Sequence, residues 1–207
     1  FFQNVSHELK TPMMAVQGCA EGINTGVLDP IEASGVILEE TEQMSELVEE
    51  LLALSRLESG QANAEFHTAD VRELLYDCLR STEQLAEQRR LDICPCFDET
   101  PVFVNCDELQ LRRAFTNIIT NALRYAKEKI QIECRADRGK AVVRIRDDGE
   151  GIAPELLPHI FDRFFSTRAG GAGIGLSLTK EIVSLHKGTI RAANDGGAVF
   201  EICLPLR

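Results

Sequence analysis

The sequence predicts two architectures in series: an α-helical hairpin that pairs with a second copy as a four-helix bundle, then an α+β two-layer sandwich. Apolar residues recur at heptad spacing through the first sixty positions. After residue 62 the pattern changes to short alternating strands interleaved with amphipathic helices. Strands that are apolar on one face, together with helices that are apolar on one stripe, make two layers around one core. The division falls at 1–62 and 63–207, and neither part carries an internal repeat or a low-complexity tract.

In the first part, Phe2, Leu9, Val16 and Ile23 stand seven apart, and Val5, Pro12 and Cys19 fill the second seam position. That spacing marks a helix packed on other helices. Gly26 and Pro30 punctuate the turn in "NTGVLDP". A second heptad runs through Ile37, Met44, Leu47, Leu51 and Leu54, with Gly60 in "LESGQ" as its stop. One hairpin cannot bury both seams, whereas two together can, so a homodimer through the hairpin is expected. The acidic run "LEETEQMSELVEELL" reads as a solvated helix face.

In the second part, "DVRELLYDCLRSTEQLAEQRR" reads as a helix capped by Asp70, and "LDICPCF" and "VFVNC" as strands. "DELQLRRAFTNIITNALRYA" is an amphipathic helix capped by Asp107. "KIQIECRAD" puts Ile130, Ile132, Cys134 and Ala136 on one face, and "AVVRIRDD" does the same for Val143, Ile145 and Asp147. A glycine-rich region follows, then the helix "GLSLTKEIVSLHK" and two closing strands, the last alternating Phe200, Ile202 and Leu204.

Composition narrows the function. The 207 residues are 44% hydrophobic and 27% charged, which suits a packed core. The net charge of −11 argues against nonspecific binding to nucleic acid or to an anionic membrane. Seven cysteines, none in a CxxC pair, read as core thiols of a reducing compartment; Cys94 and Cys96 around Pro95 lack the partners of a zinc site. No apolar run approaches transmembrane length and no signal peptide is visible. The chain opens inside a periodic pattern, so it reads as a piece of a longer protein.

Several stretches carry chemistry. In the heptad frame His7 lies farthest from the seam and should face solvent, with Glu8 adjacent and Thr11 one turn along the same face. Pro12 offers no N–H to the carbonyl of Glu8, so the helix should bend there and open access around the imidazole. A neutral imidazole can attack phosphorus while a carboxylate accepts the proton of its other nitrogen. Alone, an exposed histidine such as His7 is far more often an ordinary surface residue; "HELKTP" followed by a nucleotide-site pattern reverses that balance. In "NIITNALRY", Asn117 and Asn121 share a helical face with Arg124 and Tyr125: amide oxygens can ligate Mg²⁺, a guanidinium can pair with phosphate and a phenol ring can stack on a base. A solvated polar stripe would look the same. In "DDGEGIAPE", Asp147 points into the core and needs a donor, for which the exocyclic amine of adenine is suited. Gly149 and Gly151 let backbone approach a flat ligand, although an acidic turn fits these residues too. Gly171, Gly173 and Gly175 lead into a helix whose N-terminal amides suit phosphate. A dinucleotide fold would need a strand before them, and "HIFDRFFSTRAG" is not one.

Taken in order, "SHELKTP", "NIITNALRY", "DDGEGI", "FDRFF" and "GAGIGLSL" resemble the H, N, G1, F and G2 boxes of the sensor histidine kinases, over nearly the whole chain. The resemblance implies a sandwich of the GHKL ATPase type that uses ATP and Mg²⁺. It implies His7 as phosphoacceptor, Glu8 as the assisting base and Thr11 as a residue of the dephosphorylation reaction. Asn121 would be the Mg²⁺ ligand with Asn117 supporting it, and Arg124 stands where the family usually has a phosphate-binding lysine. Tyr125 would line the adenine pocket, Asp147 would take the adenine amine, and Gly149 and Gly151 would shape that wall. Gly171, Gly173 and Gly175 would border the phosphates and lid, and Phe161, Phe164 and Phe165 would anchor the lid. Arg168, the cation of the short lid "STRAG", could reach the γ-phosphate. The resemblance further implies phosphotransfer from His7 to an aspartate of a response regulator receiver domain and phosphatase activity toward that regulator. The face around His7 must then serve donor and acceptor in turn, and "RLESGQANAEF", which ends a helix and carries a glycine and small polar residues, reads as the hinge that allows it. It implies the cytoplasmic portion of a parent anchored in a membrane only through upstream segments. Two other classes stay open on the nucleotide motifs alone: an ATPase of this fold without a phosphoacceptor, and a non-catalytic ATP-sensing scaffold. The hairpin carrying "HELKTP" disfavours the first, and the His7–Glu8 pair the second.

Overall fold

The computed structural model describes residues 2–59, 64–165 and 173–207, without the side chains of residues 2–4, 7, 8 and 58. Two helices, α1 (Phe2–Asn24) and α2 (Pro30–Glu58), come first. Then follow β1 (His67–Asp70), α3 (Val71–Arg89), β2 (Asp92–Phe97), β3 (Phe103–Cys106) and α4 (Glu108–Tyr125). β4 (Lys129–Asp137), β5 (Lys140–Asp147), α5 (Gly175–Leu185), β6 (Thr189–Asn194) and β7 (Ala198–Pro205) complete the chain.

The hairpin forms because its turn is well specified. Gly26 adopts φ +71°, and the Asp29 carboxylate accepts from the N–H groups of Ile31 (2.9 Å) and Glu32 (3.1 Å). Pro30, which lacks an N–H, occupies the start of α2, where no donor is needed. α1 runs as one helix through Pro12. Its seam residues Leu9, Val16 and Ile23 are half-buried, while Leu47 and Leu54 of α2 are only 6% and 1% exposed. Met13, Met14, Leu38 and Leu52 remain exposed on the hairpin. Gly60, expected to stop α2, lies outside the described residues; α2 ends at Glu58 with Ser59 as its cap.

The second part is built on a five-stranded sheet of order β2-β4-β5-β7-β6, with β2 parallel to β4 and the remaining pairs antiparallel. Register aligns the apolar positions: Ile132 faces Ile145, which faces Phe200, and Cys134 faces Val143, which faces Ile202. These side chains are buried. Glu133, Arg144 and Glu201 occupy the alternate face, where Arg144 Nε lies 2.7 Å from Glu201. α4 lays Leu111, Phe115, Ile118, Ile119 and Leu123 into the core. Each such side chain contributes roughly 1.5–3 kcal/mol by leaving water. α4 packs against both α3 and α5. Leu47 and Leu54 join this same core as α2 docks on α5.

Four details depart from expectation. β1 was not anticipated, and β3 pairs with it in a separate two-stranded sheet instead of joining the main one. β1 ends at Asp70, whose carboxylate both caps α3 through Arg72 N–H (3.1 Å) and accepts from Val102 N–H (3.1 Å), so one residue closes two elements. Ala136 is exposed near the Arg138–Gly139 turn and not on the buried face. Of the thiols, Cys78, Cys106 and Cys134 are buried, but Cys94 and Cys96 sit on the edge strand β2 and Cys96 is exposed. Among the described residues no helix is long and apolar enough to cross a membrane, and no cluster of His, Cys, Asp and Glu could hold a metal.

Candidate functional site

The site begins with α4. Asp107 Oδ1 caps this helix by accepting from Gln110 N–H at 3.1 Å, while the Asp107 N–H donates to His186 Nε2 at 3.0 Å. Because the apolar stripe of α4 faces the sheet, Asn117, Thr120, Asn121 and Arg124 are carried onto its flank. Asn117 Nδ2 donates to the Gly175 carbonyl at 3.1 Å and lies 3.4 Å from Thr179 Oγ1. The first turn of α5 therefore fixes the direction of this amide. At the other end of α4, Arg89 Nη1 donates to the carbonyls of Leu123 (2.7 Å) and Arg124 (2.8 Å), closing the helix where Tyr125 begins the site wall.

A cavity of about 610 Å³ opens between α4, the end of β5 with the loop after it, and the start of α5. That volume suits a mononucleotide-sized ligand. Asp147 lies at its inner wall, 3% exposed. Its Oδ1 accepts from Gly149 N–H (2.9 Å) and Ala198 N–H (3.2 Å). Among the described residues both hydrogen bonds it accepts land on that oxygen, which leaves Oδ2 for a ligand donor. Burial pushes the Asp147 carboxyl up; the two backbone donors oppose this and the neighbouring Asp148 charge adds to it. Gly149 has no room for a side chain: a Cβ would lie 2.5 Å from the Tyr125 carbonyl oxygen and 2.9 Å from Asp147 Oδ1.

Neighbouring groups hold this wall. Asp148 accepts from the N–H groups of Lys127 (2.8 Å), Glu128 (3.1 Å) and Lys129 (3.0 Å), stapling the segment after α4 to the end of β5. Burial pushes its carboxyl up, but these three donors outweigh burial and hold it below the usual carboxylate range. Asn194 clamps the loop after Asp147 from β6: its Oδ1 accepts from Ile152 N–H (2.8 Å) and its Nδ2 donates to the Ile152 carbonyl (2.6 Å). Phe165 lines the cavity, and Phe161 meets Phe200 edge-on at 6.4 Å between ring centroids.

The cavity brings together Asn117, Asn121, Arg124, Tyr125, Asp147, Gly151, Gly173 and Gly175. Gly149 contacts its wall through Asp147 and Tyr125. Arg168 and Gly171, with the lid stretch 166–170, lie outside the described residues, as do the side chains of His7 and Glu8 on α1. Thr11 is exposed on α1 and does not line the cavity. Sequence reasoning missed Asp148, Asn194, Lys127 and, above all, Glu50. Glu50 belongs to the acidic run expected to be solvated, yet it is half-buried and lines the cavity. Its signal was spacing: Glu50 falls three residues after Leu47 and four before Leu54, on the face that α2 buries.

A pocket of paired amides facing a buried carboxylate across glycine-built walls defines a nucleotide-binding class of fold, and comparison with known proteins agrees. Residues 1–60 match the His Kinase A (phospho-acceptor) domain, and residues 106–207 match the Histidine kinase-, DNA gyrase B-, and HSP90-like ATPase family. The signal transduction histidine-protein kinase AfsQ2 of Streptomyces coelicolor is 32% identical over 99% of this chain, which spans 41% of that protein's length. The solved structure of the Acinetobacter baumannii histidine kinase AdeS is 30% identical with a TM-score of 0.85, covering 97% of this chain and 98% of that one. The histidine kinase ThkA in complex with the response regulator protein TrrA shares the fold, with a TM-score of 0.82 at 24% identity over 100% of this chain and 61% of that one. The chain belongs to the sensor histidine kinases, and ATP binding goes with membership of that ATPase family.

Proposed function

We propose that the chain is the catalytic portion of a two-component sensor kinase, with 1–62 as dimerising phosphoacceptor hairpin and 63–207 as ATP-binding domain. The observation that carries the reading is Asp147, whose Oδ1 is taken by two backbone N–H groups while Oδ2 is left toward the cavity. A buried carboxylate with one open oxygen selects a flat ligand with an N–H donor at its edge, and the exocyclic amine of adenine is that donor. Tyr125, Gly149 and Gly151 flank the ring. Asn117, Asn121, Arg124, Gly173 and Gly175 then lie toward the phosphates, with Arg168 and Gly171 assigned to the same end by sequence.

The donor set fits Mg²⁺: hard amide oxygens on one helical flank, few in number, suit an ion that keeps waters and shares ligands with phosphate. Asn121 would hold it, with Asn117 kept in place by Gly175 and Thr179. When bound, the ion offsets phosphate charge. His7 attacks the γ-phosphorus of ATP through one ring nitrogen. The N–P bond forms, the P–O bond to ADP breaks, and the proton from the other ring nitrogen passes to Glu8. An aspartate of a response regulator receiver domain then takes the phosphoryl group from His7, and Thr11 orients water when the regulator is dephosphorylated. The solved ThkA–TrrA complex supports this kind of partner. The exposed Met13, Met14, Leu38 and Leu52 support a second copy against the hairpin. Segment 56–66 serves as the hinge between the parts, of which 60–63 lie outside the described residues.

Incubation with γ-labelled ATP and Mg²⁺ tests the proposal. The chain should retain label that is lost in acid and kept in base, and His7→Gln should abolish it. Retained label in the His7→Gln protein, or label stable in acid, would overturn the assignment.

A further inference from the structure

We propose that Glu50 sets the nucleotide affinity of this cavity: brought in by the hairpin, its carboxylate takes up the phosphate end of the site, so docking of α2 on α5 competes with a bound polyphosphate. The inference rests on the reading of the cavity as an ATP site.

Three observations meet at this residue. Glu50 is the part of the hairpin that lines the cavity among the described residues. Glu50 Oε1 lies 3.8 Å from the point where a Cβ on Gly175 would sit, and Asn117 Nδ2 lies 3.6 Å from that point. The carboxylate therefore shares one spot with the amide and helix start assigned to the phosphates, at a different part of the cavity from Asp147. Leu47 and Leu54, about one turn to either side, are buried in the common core, so the Glu50 backbone stays at the cavity edge while α2 stays docked. Among the described residues Glu50 accepts no hydrogen bond; burial pushes its carboxyl up, Arg113 pulls it down and Glu46 adds to the rise.

Burial outweighs the Arg113 charge at this half-buried carboxylate, and bringing a polyanion to the same end adds repulsion in a medium that screens poorly. A ligand shifts a two-state equilibrium only by its differential affinity for the two states. A polyphosphate has such a difference, because it meets Glu50 in the docked arrangement alone. Adenosine has none, because its contacts lie with Asp147.

Affinities of the full chain for ATP, MgATP and adenosine, measured at one pH and ionic strength, test the proposal. Glu50→Gln should tighten ATP by about tenfold and leave adenosine within about twofold, as expected for coupled sites. Glu49→Gln, the same charge change at an exposed neighbouring position, should alter neither. In a Leu47→Ala background, where docking is weakened, the gain from Glu50→Gln should shrink, which is the non-additivity of coupled residues. Unchanged ATP affinity in Glu50→Gln overturns the proposal. So does a selective loss of MgATP affinity, which would make the carboxylate a partner of the metal. A parent chain that binds neither ATP nor adenosine overturns the reading of the cavity itself, and this inference with it.

Discussion

Replacing Asp147 by Asn separates recognition from folding at the centre of the site. The substitution keeps shape and keeps one oxygen, so the N–H groups of Gly149 and Ala198 still have their acceptor. It converts the open Oδ2 into an NH₂ group, which sets donor against donor where an adenine amine would sit. Losing a hydrogen bond to a charged group costs ~1.5–3 kcal/mol, or ~10- to 150-fold in Kd. Stability should not fall. Burial raises the Asp147 pKa, so the folded chain holds this proton more tightly than the unfolded chain. Its contribution therefore declines as pH climbs from the ordinary carboxylate value to the raised one, and the deficit persists above it. Asn carries no such deficit, so at neutral pH the variant should melt no lower than the parent. Calorimetric titration with ATP and with inosine triphosphate, which has a carbonyl in place of the amine, reads the recognition directly. ATP should weaken by the stated factor and inosine triphosphate should gain relative to it. Unchanged ATP affinity, or equal loss of both nucleotides with a lowered Tm, would refute the reasoning.

Other residues of the wall give further predictions. Asp148→Ala removes three backbone hydrogen bonds and should cost about 1–3 kcal/mol of stability by denaturant titration. The Asp148 pKa is lowered in the fold, so its contribution is present above the ordinary carboxylate value and lost as pH falls through the lowered one; the variant should show less acid destabilisation over that window. Gly149→Ala forces a methyl into 2.5 Å of the Tyr125 carbonyl and should cost about 1–3 kcal/mol as well as most ATP affinity, read by thermal melting with and without nucleotide.

Elements with both a start signal and a period were legible. α3 and α4 each follow an aspartate whose carboxylate does cap the helix, and each carries a stripe that lands in the core. β7, β4 over Ile130–Cys134 and β5 over Val143–Asp147 alternate between buried and more exposed positions because one face meets helices and the other meets water. β1 was not legible: four residues, "HTAD", are too short for a period, and pairing with β3 across more than thirty positions defines them. Singly, the pair of amides on a helical flank and the core-facing carboxylate also fit a solvated stripe and an acidic turn; the motif residues around the cavity could be picked out because five such stretches follow one another in the order that resembles the sensor histidine kinases. Glu50 could not, because the burial of a glutamate in a seam depends on what α2 packs against. That surface, the start of α5, comes over a hundred residues later.

The adjacent pair Asp147–Asp148 shows how one local rule divides labour. Extended backbone sends successive side chains to opposite sides, so Asp147, the last residue of β5, and Asp148, the first beyond it, receive opposite surroundings. Asp147 turns into the core, loses water and keeps one oxygen for a ligand, and burial raises its pKa. Asp148 turns to the loop side, meets three backbone donors, and its pKa is lowered despite burial. The second carboxylate serves the first: by tying residues 127–129 to the strand end it holds the end of α4, and with it Tyr125, against Gly149 and Asp147. A site that recognises a flat ring needs its polar anchor and its wall at fixed separation, and a single dipeptide supplies the anchor and the tether. Shifting the strand register by one residue would exchange the two roles and leave neither carboxylate with its partners.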